Sequence, residues 1–398
     1  MVSNIFQTRC QALLDQLPDG SGFVCHSGNP VIRNHDAHYP FRSDSNMLYL
    51  SGCNQPNHQL IGVKNQNHHQ LYLVTPKISH HDIVWHGVDL PKSFSTNHYD
   101  ATLSLKDIDD ILDTLDIIYT PSAQRGMISQ FTESLDPFMV RLRRIKSDDE
   151  IELIQKATQL SVLAHQEVMA HRDHLNTEAQ ALSIYLATCC QHQCFEQAYH
   201  PIVAGAHHAN ILHYNHNNGT IHNGAMLLLD AGIEFQSYAS DITRTFPTKK
   251  HFSKEQSLLY EIVLAAQVSA LESVKPGIHW AELNLIAQNK LIEGLLSLQI
   301  LSPNHHDQLI KTLHTWYPHG IGHSLGIDVH DPSDRHQPLE AGMTITIEPG
   351  LYMRPDKDLD ERWHNIGIRI EDTILVTESG HINFSKELPK TIEDIEAS

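Results

Sequence analysis

No apolar stretch in this sequence approaches the ~20 residues needed to cross a bilayer as a helix, so a helical membrane anchor is excluded. Residues 1–17 also lack the basic start and continuous apolar run of a secretory signal, and instead carry apolar side chains at helical spacing. A cytoplasmic protein is expected. Basic charge is scarce: 28 Lys and Arg stand against 47 Asp and Glu, a formal net charge of −19. Such a surface repels phosphate backbones and anionic headgroups, so neither nucleic acid nor a membrane is an expected partner. The six cysteines are scattered, and the densest group, Cys189, Cys190 and Cys194, has no second cluster to complete a zinc site. Ordinary reduced thiols are expected. Low-complexity tracts are missing too, and 40% hydrophobic with 19% charged residues is the make-up of a folded soluble enzyme or binding protein.

At 398 residues the chain is too long for one comfortable core, which predicts two domains. Across about 22–119, short apolar runs at 22–25, 47–50, 60–63 and 71–74 alternate with helical patterns, as in an α/β domain with a central sheet. Arg141-Leu-Arg-Arg-Ile-Lys146 is then followed by Ser147-Asp-Asp-Glu150, a capping box that opens a helix. The boundary is placed there, giving domains 1–146 and 147–398. In the second domain, helices are expected from Ser147 and over 177–194, 254–274 and 280–298. Strands are expected over 226–233, 238–246, 326–329, 343–347 and 366–376. Helix, helix and strands thus occur twice, with Lys275-Pro276-Gly277 as a break inside the second copy.

Histidine is abundant, 31 in all, so pairs at ligand-like spacing arise by chance and a convincing site must also use carboxylates. Leu227-Leu-Leu-Asp230 and Asp241-Ile-Thr-Arg-Thr-Phe246 supply two. A hairpin centred between Phe235 and Gln236 sets Asp230 opposite Asp241, with Cβ atoms roughly 4.5–5.5 Å apart, where like charges repel. Either a cation lies between them or this is a polar hairpin edge with two solvated acids; Asp230 follows three leucines, and burial without a cation is costly. His319-Gly-Ile-Gly-His323 has the spacing of a helical turn, but its two glycines oppose a helix and predict a tight loop. His330 adds a third imidazole. Glu348 ends the run Thr344-Ile-Thr-Ile347 ahead of Pro349-Gly350, and Glu371 follows Gly367-Ile-Arg-Ile370, with Arg369 on the same strand face. Singly, each glutamate reads as a surface acid. Together, four carboxylates and one or two imidazoles form an oxygen-dominated donor set that suits manganese and carries charge enough for two divalent ions. Two such ions hold a hydroxide at neutral pH and stabilise the anion formed when it attacks a carbonyl. That is hydrolase chemistry.

These segments, with Ile211-Leu-His213-Tyr214 and Ile347-Glu348-Pro-Gly-Leu-Tyr352, resemble the Xaa-Pro aminopeptidases, members of the pita-bread metallopeptidases that include prolidases, creatinases and methionine aminopeptidases. The likeness extends through 141–146 and, less sharply, to Phe41-Arg42 and Tyr49-Leu-Ser-Gly52. It implies an α/β N-terminal domain followed by an α+β C-terminal pita-bread (creatinase/aminopeptidase) domain. Cleavage of the bond between an N-terminal residue and a following proline is the implied activity. The resemblance makes Asp230, Asp241, His323, Glu348 and Glu371 ligands of two divalent ions, Mn2+ ahead of Zn2+ or Co2+, with Asp241 and Glu371 bridging. It makes His330 the group that polarises the scissile carbonyl, and His213 and His319 the groups that shape the proline pocket and steady the intermediate. Glu348 would also move the proton from water to the leaving nitrogen, Arg369 would support the site, and Tyr352 would line it. A homo-oligomer, dimer or tetramer, is expected, and Trp85 resembles a tryptophan that in relatives reaches a neighbouring subunit's site. The sequence departs from the family at Ser45-Asn46, where Ser-Asp is usual, which removes a charge. Prolidase is the alternative activity, and a non-catalytic peptide-binding module of the same fold is a further one.

Overall fold

The computed structural model describes residues 5–66, 68–87, 99–128, 130–303 and 305–398. Its chain divides into two units, Met1–Arg143 and Arg144–Ser398, slightly ahead of the expected boundary after Lys146.

In the first unit, the apolar runs of the sequence become strands β1 (Ser21–His26), β2 (Gln59–Asn65) and β3 (His68–Val74). With β4 (Ala101–Leu103), β5 (Ile117–Thr120) and β6 (Thr132–Ser134) they form a mixed sheet of order β4-β3-β2-β1-β5-β6. β1 is central, pairs antiparallel with β2 and parallel with β5, and is buried along nearly its whole length, so it reads as a continuous apolar run. Helix α1 (Ile5–Gln16) buries Cys10, Leu13 and Leu14. The run 47–50 departs from the expected sheet pattern and lies in helix α2 (Ser45–Ser51). The Asp44 carboxylate accepts from the backbone N–H groups of Asn46 and Met47, and Gly52 ends the helix at φ 67°. A four-residue apolar run cannot by itself distinguish helix from strand, and the cap decides. Asn46, the departure from the family pattern, accepts a hydrogen bond from Arg143 Nη1 at 3.0 Å.

The second unit opens with α3 (Asp148–Ala170), where the Glu150 carboxylate accepts from the Ser147 N–H and hydroxyl as the capping box requires. Helix α4 (Glu178–Gln191) packs against α3, and α5 (Lys254–Ser273) against α6 (Trp280–Ser297). Between the pairs lie short antiparallel ladders. β7 (Ile202–Gly205), β8 (Met226–Asp230) and β11 (Thr243–Pro247) form one, and β9 (Glu234–Phe235) and β10 (Tyr238–Ala239) close its hairpin. β12 (Thr344–Ile347), β15 (Asp372–Val376) and β16 (His381–Asn383) form another, and β13 (Gly350–Met353) pairs with β14 (Ile366–Arg369). One continuous apolar core joins the strands to the helices. The expected strand 326–329 is absent. Gly326 N–H donates to the Asp328 carbonyl and Asp328 N–H to the Asp331 carboxylate, so these backbone groups are used locally instead of in a ladder. All six cysteines are free thiols. No helix among the described residues is long and apolar enough to cross a membrane.

Candidate metal centre

The first two acids come from the hairpin, but not in the expected register. Asp230 pairs with Thr243, and the turn is centred on Gln236 and Ser237, at φ 49° and 70°. Positive φ at both central residues is the two-residue turn whose twist matches antiparallel strands, and it moves the pairing two residues past Asp241. The aspartates still meet. The Tyr199 hydroxyl lies 2.5 Å from Asp230 Oδ1 and 2.6 Å from Asp241 Oδ1.

The other candidates arrive on neighbouring chain. Glu371 follows β14 and bridges to Thr243, whose hydroxyl donates to Glu371 Oε2 at 2.7 Å. Glu348 leaves β12 with Thr346 Oγ1 at 3.2 Å from its Oε1. His319 and His323 lie on irregular chain, as the glycines between them predict. A Cβ on Gly322 would strike the Thr346 carbonyl, so glycine there lets the His323 segment lie against β12. His323 Nδ1 is 3.1 Å from the Ser324 carbonyl, which can only accept, so this nitrogen carries the proton and Nε2 faces the acids. Nε2 is 3.3 Å from Asp241 Oδ2 and 3.5 Å from Glu348 Oε1. Donor atoms of Asp241, His323 and Glu371 all lie within 4.8 Å of one another.

The charges of this cluster are not balanced by the protein. Burial pushes the Asp230 carboxyl above its usual range, against the pull of Arg369. Burial, then Asp241, Glu348 and Asp230, raise Glu371 well above it. Burial raises Glu348 to about 7. Burial opposes charge on His323 as well, but Asp241 and Glu348 outweigh it and hold the imidazole at about 9. One guanidinium, Arg369, enters the cluster, with Nη2 2.6 Å from Asp230 Oδ2. The single proton of the Tyr199 hydroxyl cannot serve two carboxylates at once. Without a metal, the acids therefore hold a proton on His323 Nε2. A divalent cation would displace it, and carboxylate oxygens with one imidazole nitrogen suit a hard to borderline ion, not a soft, thiolate-seeking one.

These groups wall a cavity of about 710 Å³, and so do His213, His319, His330 and Arg369. His213 and His330 are exposed. The His330 ring meets His323 edge to face at 4.3 Å. His319 is already fully engaged: Nδ1 donates to the Gly320 carbonyl, and Nε2 accepts from the Tyr352 hydroxyl at 2.7 Å. Burial, then Arg369 and His213, lower its pKa to about 4 and keep it neutral. Tyr352 corrects the expectation that it lines the site. It is fully buried behind the wall, its oxygen accepting from Arg369 Nη1 at 2.8 Å and donating to His319. Tyr199 and Arg335 also line the cavity and went unmarked in the sequence. Tyr199 stands alone among polar residues with no motif to flag it. Arg335, whose guanidinium stacks over Trp280 at 5.3 Å, had as its only signal a basic residue soon after His330.

Residues 152–378 match the model of metallopeptidase family M24, and residues 6–123 that of the aminopeptidase P N-terminal domain. The Xaa-Pro aminopeptidase of Haemophilus influenzae is 35% identical over 98% of this chain and 96% of its own. That of Escherichia coli is 30% identical, again over 98% and 96%. Among solved structures, proline aminopeptidase P II from Yersinia pestis superposes with a TM-score of 0.92 at 32% identity, covering 100% of this chain and 99% of its own. Aminopeptidase P from E. coli with the inhibitor Pro-Leu superposes at 0.91 and 30% identity, over 99% and 97%.

Proposed function

The chain belongs to metallopeptidase family M24, with the two-domain pita-bread architecture of aminopeptidase P, and from that premise we propose how its residues release an N-terminal residue from a following proline. It is a metallo-aminopeptidase acting on peptides with proline second. Divalent metal ions go with the family. We propose two, manganese by the oxygen-rich donor set; Asp230, Asp241, His323, Glu348 and Glu371 would hold them. When bound, such a pair supplies a water that is nucleophilic at neutral pH and a field that stabilises an oxyanion.

The chain's own side chains do the rest. Glu348 would take the proton from the attacking water and return it to the departing proline nitrogen. His330 donates to the scissile carbonyl oxygen as charge develops there. His319, with both ring nitrogens occupied, presents its ring as a wall against proline, and His213 completes that pocket. Arg369 fixes Asp230 through Oδ2 and steadies Tyr352, which in turn fixes His319. Tyr199 stands within hydrogen-bond distance of both Asp230 and Asp241 and can donate to either one.

The convergence of four acids and Nε2 of His323 on one cavity carries this reading. Its test is chelation: metal-free protein should be inactive, Mn2+ should restore turnover best, and titration should saturate at two ions per chain. Unchanged turnover without metal, or saturation at one ion, overturns it. For substrate length, tripeptides and longer peptides should be cleaved faster than Xaa-Pro dipeptides. Residues 354–362 carry more acid than base, and Arg354 is committed to the Asn210 carbonyl, leaving that run a poor clamp for a terminal carboxylate. A clear preference for the dipeptide would favour prolidase. We also propose a homo-oligomer, which the exposed Val84 and Trp85 support and light scattering tests.

A further inference from the structure

Residues 205–219 carry Leu212, His213 and Asn215 to the cavity wall, yet beyond the last residue of β7 they form only one 3-10 turn, Ala206–Asn210. Chain without a ladder must find partners for its backbone groups elsewhere. Much of that task falls on one carboxylate. Glu178 opens α4 and is fully buried, and its two oxygens accept four hydrogen bonds from this segment. Oε1 accepts from Gly205 N–H at 2.8 Å and from His208 Nδ1 at 2.7 Å. Oε2 accepts from the Tyr214 hydroxyl at 2.7 Å and from Gly219 N–H at 2.6 Å. The donors therefore include both ends of the segment and two points between. Burial alone would raise the Glu178 pKa, but these bonds prevail and hold it below the usual carboxylate range. The Tyr214 ring stacks on His208 at 4.3 Å and 17°, so the two side-chain donors also brace each other. Glycine is required at 219, where a Cβ would lie 2.6 Å from His208 Cε1 and 2.8 Å from Glu178 Oε2. Asn217 ties the same segment to β7, accepting from Val203 N–H and donating to the Pro201 carbonyl.

We infer that Glu178 is a positioning residue for His213: its buried carboxylate gathers residues 205–219 and, through Tyr214, sets where the neighbouring His213 meets the substrate. The inference rests on the role given above to His213 as part of the proline pocket. The carboxylate is suited to this task because it only accepts and all four of its partners donate. An amide of the same shape accepts on one side and turns an NH2 toward donors on the other.

Glu178→Gln, His213→Ala and the double variant, all as the full metal-loaded chain, provide the test. Glu178→Gln should bind metal in the wild-type amount and lower kcat/KM by about 10–100-fold, the scale of a misplacement of ~1 Å. Its split between kcat and KM should follow that of His213→Ala. In the double variant the Gln should cost less than about 3-fold more, because a residue acting through His213 has nothing left to position. Amide exchange should quicken over 206–218 and stay unchanged in α5. Full additivity, or wild-type kinetics with a loosened segment, overturns the inference. If Glu178→Gln does not fold, Tyr214→Phe, which removes one of the four bonds, takes its place with the same pattern at smaller size. If His213→Ala alone is silent, the pocket role of His213 fails. The exchange of 206–218 then decides whether Glu178 organises the segment, and unchanged protection refutes it.

Discussion

Glu371 and Asp372 are adjacent, both buried, and treated in opposite ways. Asp372 Oδ1 accepts from Arg244 Nη2 at 2.7 Å, and its Oδ2 accepts from Gln267 Nε2, Asn383 Nδ2 and Lys390 Nζ. Burial would raise its pKa, but Arg244 and Lys390 prevail and hold it well below the usual range. Glu371 has the Thr243 hydroxyl and, around it, three more acids, which with burial outweigh the pull of Arg369. Arg244 passes close by without neutralising it, donating instead to the Glu371 and Thr243 backbone carbonyls. A buried acid compensated by the chain's own cations belongs to the scaffold. One left uncompensated beside others of its kind implies a cation from outside.

The sharpest way to break this contrast is Asp241→Asn beside Cys190→Ala. Asp241→Asn should abolish most metal binding and activity, whereas Cys190 is exposed and its loss should leave both near wild type. Equal small losses in turnover and metal content would remove the distinction. Next, Asp372→Asn leaves Arg244 and Lys390 short of a buried anion and should cost about 3–5 kcal/mol in urea unfolding. Glu371→Gln, measured in chelated protein, should cost nothing or raise stability, because it relieves repulsion. If both substitutions destabilise metal-free protein alike, Glu371 is compensated after all.

His330→Ala separates holding a cation from using one. kcat should fall by ~10²–10³ with metal content unchanged, since a donor to the developing oxyanion acts mainly in the transition state. Loss of metal would move His330 into the ligand set. The smallest effect concerns a buried base. His165 Nε2 donates to the Ala231 carbonyl, its Nδ1 has no partner, and burial lowers its pKa to about 4. The unfolded chain therefore binds a proton more readily than the folded one, and stability should decline as pH falls from 6.5 toward 4, by up to about 1.4 kcal/mol per unit. Wild type minus His165→Phe, in urea between pH 7 and 5, isolates this slope. Parallel curves would mean that His165 is not the group being charged.

Asp230 was legible in the sequence because it ends the apolar run Leu227-Leu-Leu, where a charge is costly to bury. Asp241, Glu348 and Glu371 became legible only together, as a set of acids with glycine-flanked histidines and a family likeness. The glycines of His319-Gly-Ile-Gly-His323 excluded a helix on steric and entropic grounds alone. The capping box at Ser147 was legible for the same reason: its bonds are made within four residues. The hairpin register was not, since a turn at Gln236-Ser237 needs two non-glycine residues at positive φ, which local preference does not announce. Nor was helix α2, where the Asp44 cap and the environment outweigh an ambiguous run.

Sequence alone therefore determined the inventory: the candidate donors and their sign of charge, the helix starts, and the likeness that names the chemistry. These depend on residue type and on neighbours a few positions away. Tertiary structure decided which donors are spoken for. It put Tyr199 between Asp230 and Asp241, Tyr352 behind His319 instead of on the wall, and four distant donors around Glu178. Each of these joins residues far apart in the chain or on different elements, and a hydrogen bond of 2.5–2.8 Å depends on packing that local sequence does not encode.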